Sequence, residues 1–434
     1  MTESNRSLTP GRRIAFAVVT TVLALVLLNV AIEALERFGI INTHRLDNYV
    51  QFLDEPLYER DGDWIVTTDY AHGFMVPGRF RREKGERFRV FILGASFAMG
   101  TPYTVMSHGE ERPGGIATFL RAELERRYGP DGYEVINAAA GAQTSHRVRR
   151  IAEEVLQFEP DLLVVATCNN EGPPKPGYVR EQLHKLGAYR LLTQLAAPTV
   201  DPEERPTFTP QLLDPEQVRS EFEENVSAIL DAAAAANVPV ALATLPLNLR
   251  YGGEGAPLPP EDAAGRHPEH TCVAAGREAH VRGDHQGALE LLAACGADVP
   301  DAARWTGLSL AALGRVDEAR TALQLSIELL PRNRCRPSLN ATTRTLAERS
   351  GVHLVDLEPV AERVSPQGLP GPELFVDYCH LNWRGYALMA QELLRVLEGD
   401  ALIPTGQGPR VSVTDLAASL GLEPLPELET SGGP

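Results

Sequence analysis

The sequence predicts an α/β protein, a three-layer α/β/α sandwich around a five-stranded parallel sheet, with an α-helical insertion and one N-terminal transmembrane helix. Three observations carry this expectation. Five short apolar runs, at 89–93, 133–136, 162–166, 239–243 and 353–357, have the length and composition of buried strands. Segments with helical spacing of apolar residues, at 115–127, 145–157 and 217–236, lie between them. Strands alternating with helices imply a parallel sheet covered on both faces. Finally, a repeat with a fixed offset interrupts the alternation between the fourth and fifth strands.

The N-terminal element comes first. From Ile14 to Ile32 the chain is apolar except for Thr20, Thr21 and Asn29, and about twenty apolar residues span a bilayer as a helix. Arg6, Arg12 and Arg13 precede this run, and Glu33 and Glu36 follow it. Positive residues stay on the cytoplasmic side. Residues 1–13 are therefore expected as a cytoplasmic tail, 14–32 as the anchor, and the rest as exported, periplasmic or extracellular. A cleaved signal peptide competes with this reading. The run is longer than the ~7–15 residues of a usual signal core, and no A-x-A site follows it.

Residues 39–87, with Trp64, Tyr70 and Phe74 among charged positions, read as an irregular extension wrapping the start of the sheet. The α/β domain follows in two parts, 88–265 and 336–400, separated by a helical insertion at 266–335. Gly276 and Gly307, Gly283 and Gly314, Ala288 and Ala319, and Pro300 and Pro331 are four pairs at one common offset. Their order matches the tetratricopeptide pattern, in which small residues let antiparallel helices approach and proline closes the second helix. Such repeats bind proteins, so a protein partner is an expectation here. His280 and His285 in the first copy read as surface residues rather than metal ligands. The Gly- and Pro-rich stretch 251–265 leads into the insertion as a flexible link. Residues 401–434, rich in Gly, Pro and Glu, read as a mobile tail with a short helix near 414–420.

Composition excludes some functions. A net charge of −17 leaves no basic stripe to neutralise phosphates, which argues against nucleic acid. The five cysteines form no C-x-x-C pair, so neither a zinc site nor a disulfide framework is expected. No sequence feature calls for a nucleotide, redox or metal cofactor.

The chemistry-bearing residues stand at strand ends. Ser96, in Gly94-Ala95-Ser96, follows the first strand directly, and Asp377-Tyr378-Cys379-His380 lies near the end of the second part. A serine hydroxyl needs a base to take its proton and an acid to orient that base. Ser96, His380 and Asp377 supply those types. Charge developing on a carbonyl oxygen needs fixed donors. The N–H of Ser96, the N–H of Gly141 and the side-chain amide of Asn170 are candidates, with Asn169 as the alternative if the register slips by one.

These four segments, in this order, resemble the blocks of the SGNH/GDSL hydrolase family over roughly residues 88–400. That resemblance implies a flavodoxin-like sheet, a Ser96–His380–Asp377 triad and an oxyanion hole from Ser96, Gly141 and Asn170. It also implies an ester substrate, with an acylated carbohydrate or a lipid as the expected class. The acyl group would pass to water or to a sugar hydroxyl, making the chain an esterase or an O-acyltransferase. Ala95 stands where the family usually has aspartate, and Cys168-Asn169-Asn170-Glu171 departs from the usual Gly-x-Asn-Asp. A weakly active or inactive scaffold, using the repeats to bind protein, is the rival expectation.

Overall fold

The computed structural model describes residues 10–41, 43, 56–105, 110–111, 113–172, 179, 183–196, 214–251, 268–329, 334–404 and 411–425. The chain divides into two compact units, one of residues 1–54 and 174–207, the other of 55–173 and 208–434.

In the first unit a helix runs over Pro10–Arg37, and its stretch Ile14–Arg37 is long and apolar enough to serve as a membrane anchor or a signal sequence. A second helix, Gly187–Ala196, packs on its C-terminal turns. Asn29 Oδ1 accepts from the Ala188 N–H at 3.1 Å, and Arg190 pairs with Glu36 at 2.8 Å.

The second unit opens with three short antiparallel strands, β1 (Tyr58–Asp61), β2 (Trp64–Thr67) and β3 (Arg79–Arg81). The expectation of an irregular extension at 39–87 is corrected for residues 58–81; residues 44–55 lie outside the described ones. Their apolar side chains are few, but Ile65 and Phe80 face inward while Arg79 and Arg81 hold the Trp64 ring from outside at 4.6 and 5.0 Å.

The central sheet has five parallel strands: β4 (Phe88–Gly94), β5 (Tyr133–Asn137), β6 (Leu162–Ala166), β7 (Val240–Ala243) and β8 (Val352–Val355). Their spatial order is β5-β4-β6-β7-β8. All five predicted strands are present. Valines, leucines and isoleucines fill β4 and β6 without alternation because both faces are covered. After α1 (Ser96–Met99), helices α2 (Ile116–Tyr128) and α6 (Trp383–Gly399) pack together on one side. Helices α3 (Ser145–Val155), α4 (Pro215–Ala235) and α5 (Pro337–Leu346) pack together as a second group.

At the N-terminal rim of the sheet Arg89 is wholly buried. Its guanidinium pairs with Glu134 at 2.7 Å and donates to the carbonyls of Phe158 and Arg81. A buried charge is tolerated when it is paired and its donors are used, as here.

Between β7 and β8 stand two helical hairpins, Pro268–Val281 with His285–Leu292 and Pro300–Ala312 with Val316–Leu329. The equivalent glycines do equivalent work. A Cβ on Gly276 would fall 2.4 Å from Leu292 Cγ, and one on Gly307 would fall 2.5 Å from Leu323 Cγ. Gly283 and Gly314 turn each hairpin at φ +83° and +75°, a conformation that favours glycine. His280 and His285 are half-buried, with ring centroids 4.9 Å apart, rather than surface residues. Residues 252–265 of the expected link and Pro331 lie outside the described residues.

The cysteine expectation is corrected. Cys168 is bonded to Cys335 and Cys272 to Cys295, leaving Cys379 free and buried. These pairs are 167 and 23 residues apart, so only the tertiary fold brings them together. The short helix expected near 414–420 is present, and the expectation of a mobile tail is corrected for residues 411–425. A helix at Val413–Ser419 buries Leu416 and Ala417, and Trp383 Nε1 donates to the Glu423 carbonyl at 2.9 Å. Residues 405–410 and 426–434 lie outside the described residues.

Candidate active site

Ligand sites of open parallel sheets lie beyond the carboxyl ends of the strands, where the strand order reverses. Here that point is the end of β4, between β5 and β6, and Ser96 stands just past it. Gly94 makes the turn: its φ is +152°, and a Cβ would lie 2.1 Å from the Ala166 carbonyl oxygen. Ala95 stays extended, and Ser96 opens α1 half-buried.

His380 reaches Ser96 from the far end of the chain. Its Nε2 lies 2.7 Å from Ser96 Oγ, and its Nδ1 lies 2.6 Å from Asp377 Oδ2. The other carboxylate oxygen, Oδ1, accepts the backbone N–H groups of Cys379 at 2.9 Å and His380 at 2.7 Å. Burial alone would raise the Asp377 pKa. The hydrogen bond and charge of His380, with the two backbone donors, outweigh burial and hold the carboxyl below the usual range.

The loop carrying the acid and base is fixed at several points. Phe375 and Leu381 form a bridge, and the Val376 N–H donates to the His380 carbonyl at 2.9 Å. Asn382 then caps α6 by accepting the Gly385 N–H at 3.1 Å. Two bonds tie this loop and helix to the serine side: the Trp383 N–H donates to Tyr103 Oη, and Tyr386 Oη donates to the Thr101 carbonyl, each at 2.8 Å. Asn248 Nδ2 donates to the Asp377 carbonyl at 2.6 Å, and Arg334 donates to the Asn248 carbonyl at 3.3 Å. No motif marked Tyr103, Tyr386 or Arg334 in the sequence; their role is set by contacts across the fold.

The expected oxyanion donors are placed differently from one another. As first helical residue of α1, Ser96 has its N–H outside the intrahelical ladder. The Gly141 N–H instead donates to the Phe74 carbonyl at 2.8 Å, beside the bridge between Met75 and Ala140. Asn169 is buried, and its Oδ1 accepts the Cys335 N–H at 2.9 Å. Asn170 is half-buried, with Nδ2 donating to the Gln143 carbonyl at 3.1 Å. An amide nitrogen carries two hydrogens. Next to it, Glu171 accepts both the N–H and the hydroxyl of Ser145, at 2.6 and 2.8 Å, fixing the start of α3.

The Cys168–Cys335 bond immediately precedes this asparagine pair. Asp377, Cys379 and His380 form the one group of three potential metal donors within 4.8 Å among the described residues. The acid and base already bind each other there, and burial pushes the Cys379 thiol well up, away from the thiolate a metal needs. That arrangement suits proton transfer better than coordination.

No protein-family profile matches the chain, and no curated protein matches it. Solved structures with a similar backbone include the acetyl xylan esterase AlAXEase, at 15% identity and a TM-score of 0.35 over 71% of this chain and 98% of that one. Another is a GDSL-like lipase from Bacteroides thetaiotaomicron, at 12% and 0.34 over 74% and 93%. A third is Axe2, an acetylxylan esterase from Geobacillus stearothermophilus, at 15% and 0.35 over 72% and 94%.

Proposed function

We propose that the chain is a membrane-anchored serine esterase or O-acyltransferase of the SGNH/GDSL type, acting on an acylated carbohydrate or lipid outside the cytoplasmic membrane. The observation that carries this is the continuous path from Ser96 Oγ through His380 to Asp377, with contacts of 2.7 and 2.6 Å. In this reading Ser96 Oγ attacks the ester carbonyl carbon while His380 Nε2 takes the hydroxyl proton. Asp377 holds the imidazole tautomer and stabilises the imidazolium. The proton passes to the leaving alcohol as the C–O bond breaks, and the acyl group then passes from Ser96 to water or a sugar hydroxyl. Ser96 N–H and the Asn170 amide would face the developing oxyanion. Gly141 would join them only after releasing the Phe74 carbonyl. The two disulfides support an exported body, since such bonds persist in oxidising compartments. The helical hairpins, with the tetratricopeptide-like spacing of their glycines, are proposed to hold a protein partner.

The test is p-nitrophenyl acetate cleavage by the full chain beside Ser96→Ala and His380→Ala, together with labelling of Ser96 by a serine-reactive phosphonate. Cleavage lost in both variants, with stoichiometric labelling of the unsubstituted protein, supports a working triad. Labelling without cleavage supports a strict acyltransferase. Absence of both overturns the enzyme reading and leaves the scaffold.

A further inference from the structure

We propose that the helix Gly187–Ala196 is a second membrane element, lying in the acyl–headgroup boundary beside the N-terminal anchor; this rests on the membrane reading of residues 14–32. The helix is seated on the end of that run. Gly187 packs on Ile32, its neighbour Ala188 donates to Asn29, and Arg190 reaches Glu36. Residues 14–32 at 1.5 Å per residue give ~28 Å, close to the hydrocarbon thickness of ~30 Å. Asn29, Ile32 and Glu36 therefore fall where hydrocarbon gives way to headgroups.

Arg190 and Gln194 of the helix point toward that junction, while Thr193 is exposed and bonds back to the Arg190 carbonyl. Arg190 is buried, pairs with Glu36 and donates to Thr43 Oγ1, and Gln194 donates to the Thr43 carbonyl at 2.6 Å. Its leucines point the other way. Leu192 and Leu195, three apart and hence on one face, are 60% and 76% exposed, and Leu186 just before the helix is 43% exposed. Phe38 and Ile40, which follow the anchor helix, are 78% and 66% exposed. The anchor helix on which this helix is seated exposes its own apolar residues, Val26, Leu27 and Val30 among them. Exposing apolar surface to water is unfavourable, and lipid at that depth removes the exposure. A short helix with one face paired to an anchor and the other apolar is suited to the interface plane, not to spanning.

The experiment uses the full chain in phosphatidylcholine vesicles with brominated acyl chains, which quench tryptophan on contact. Single variants Val22→Trp, Leu192→Trp, Leu195→Trp and Leu291→Trp are read against the signal of native Trp64, Trp305 and Trp383. The expected result is a blue shift and loss of the added emission at positions 22, 192 and 195, with none at 291 on the helical hairpins. Loss at 22 without loss at 192 and 195 overturns the proposal and leaves the anchor intact, the surface then being covered by a second copy or another protein face. No loss at 22 overturns the anchor reading and this proposal together. Equal loss at 291 marks general adsorption and also overturns the proposal.

Discussion

Replacing Asp377 by asparagine should abolish most activity while leaving the fold unchanged, and the reason is a constraint on one proton. Asp377 Oδ1 accepts two backbone N–H groups, those of Cys379 and His380, at 2.9 and 2.7 Å. An asparagine must keep its carbonyl oxygen there, because an NH₂ would face two donors. The NH₂ is then directed at His380 Nδ1, where the carboxylate oxygen lay at 2.6 Å. Nδ1 must accept, so the ring proton moves to Nε2, the atom 2.7 Å from Ser96 Oγ. A protonated Nε2 cannot take the serine proton. The analogous change in a serine protease triad lowers kcat by ~10⁴, which is about 5.5 kcal/mol at 1.36 kcal/mol per decade. The assay is kcat/KM for p-nitrophenyl acetate with a thermal melt of each variant. Asp377→Ala is the companion, since it also strips both backbone donors of their acceptor and should cost about 1–3 kcal/mol of stability. A loss of less than ~10-fold for Asp377→Asn, with an unchanged melt, would refute the tautomer argument.

The same carboxylate predicts a pH dependence of stability. Its folded pKa lies below the unfolded one, so its contribution is full above the unfolded value of about 3.9 and is lost as pH falls through the lower folded value. The gap in unfolding free energy between the wild type and Asp377→Asn should therefore shrink below pH ~4; a gap constant from neutral to acid pH would sink this. Asn170→Ala should lower kcat by ~10²–10³ with little change in the melt. Asn169→Ala, which leaves the buried Cys335 N–H without its acceptor, should cost about 1–3 kcal/mol of stability, and the reverse pattern would exchange their roles. Cys335→Ser should lower unfolding free energy by up to about 5 kcal/mol on loop entropy, read by denaturant titration in parallel with the reduced wild type. Equal stability of oxidised and reduced protein would contradict it. Gly94→Ala sets a Cβ against the Ala166 carbonyl and should cost about 3 kcal/mol or more, seen as a fall in melting temperature or soluble yield.

β4, β6 and β7 were legible because each is an apolar run buried on both faces, whereas the edge strands β5 and β8 are half-buried and were marked by their length and their place in the alternation with helices. Ser96, Asp377 and His380 were legible because their loops are short and directly follow or precede such regular elements. The strands at 58–81 were not, because Tyr58–Asp61 and Arg79–Arg81 are largely charged and owe their pairing to partners across the turn. The Cys168–Cys335 disulfide was hidden for a related reason: spacing along the chain says nothing of a pair made by the return from an insertion, while Cys272–Cys295 joins the two ends of one helical hairpin. Gly141 shows the limit at the site itself. Its place after β5 was readable, but the carbonyl that takes its N–H comes from Phe74, in a segment without any motif.

Ser96 and His380, the nucleophile and base of the proposed mechanism, lie 284 residues apart in the chain, and this bears on when the proposed site can assemble. At ~5–20 residues per second of synthesis, Ser96 precedes His380 by about 14–57 s. Throughout that interval Ser96 lacks its contact with His380. The histidine-bearing loop also depends on Tyr103 and Thr101 for its seat, so the late segment becomes competent by docking on the early one. On the proposed mechanism, acyl chemistry would begin only with completion of the fold, and a chain arrested or truncated before Asp377 would lack it.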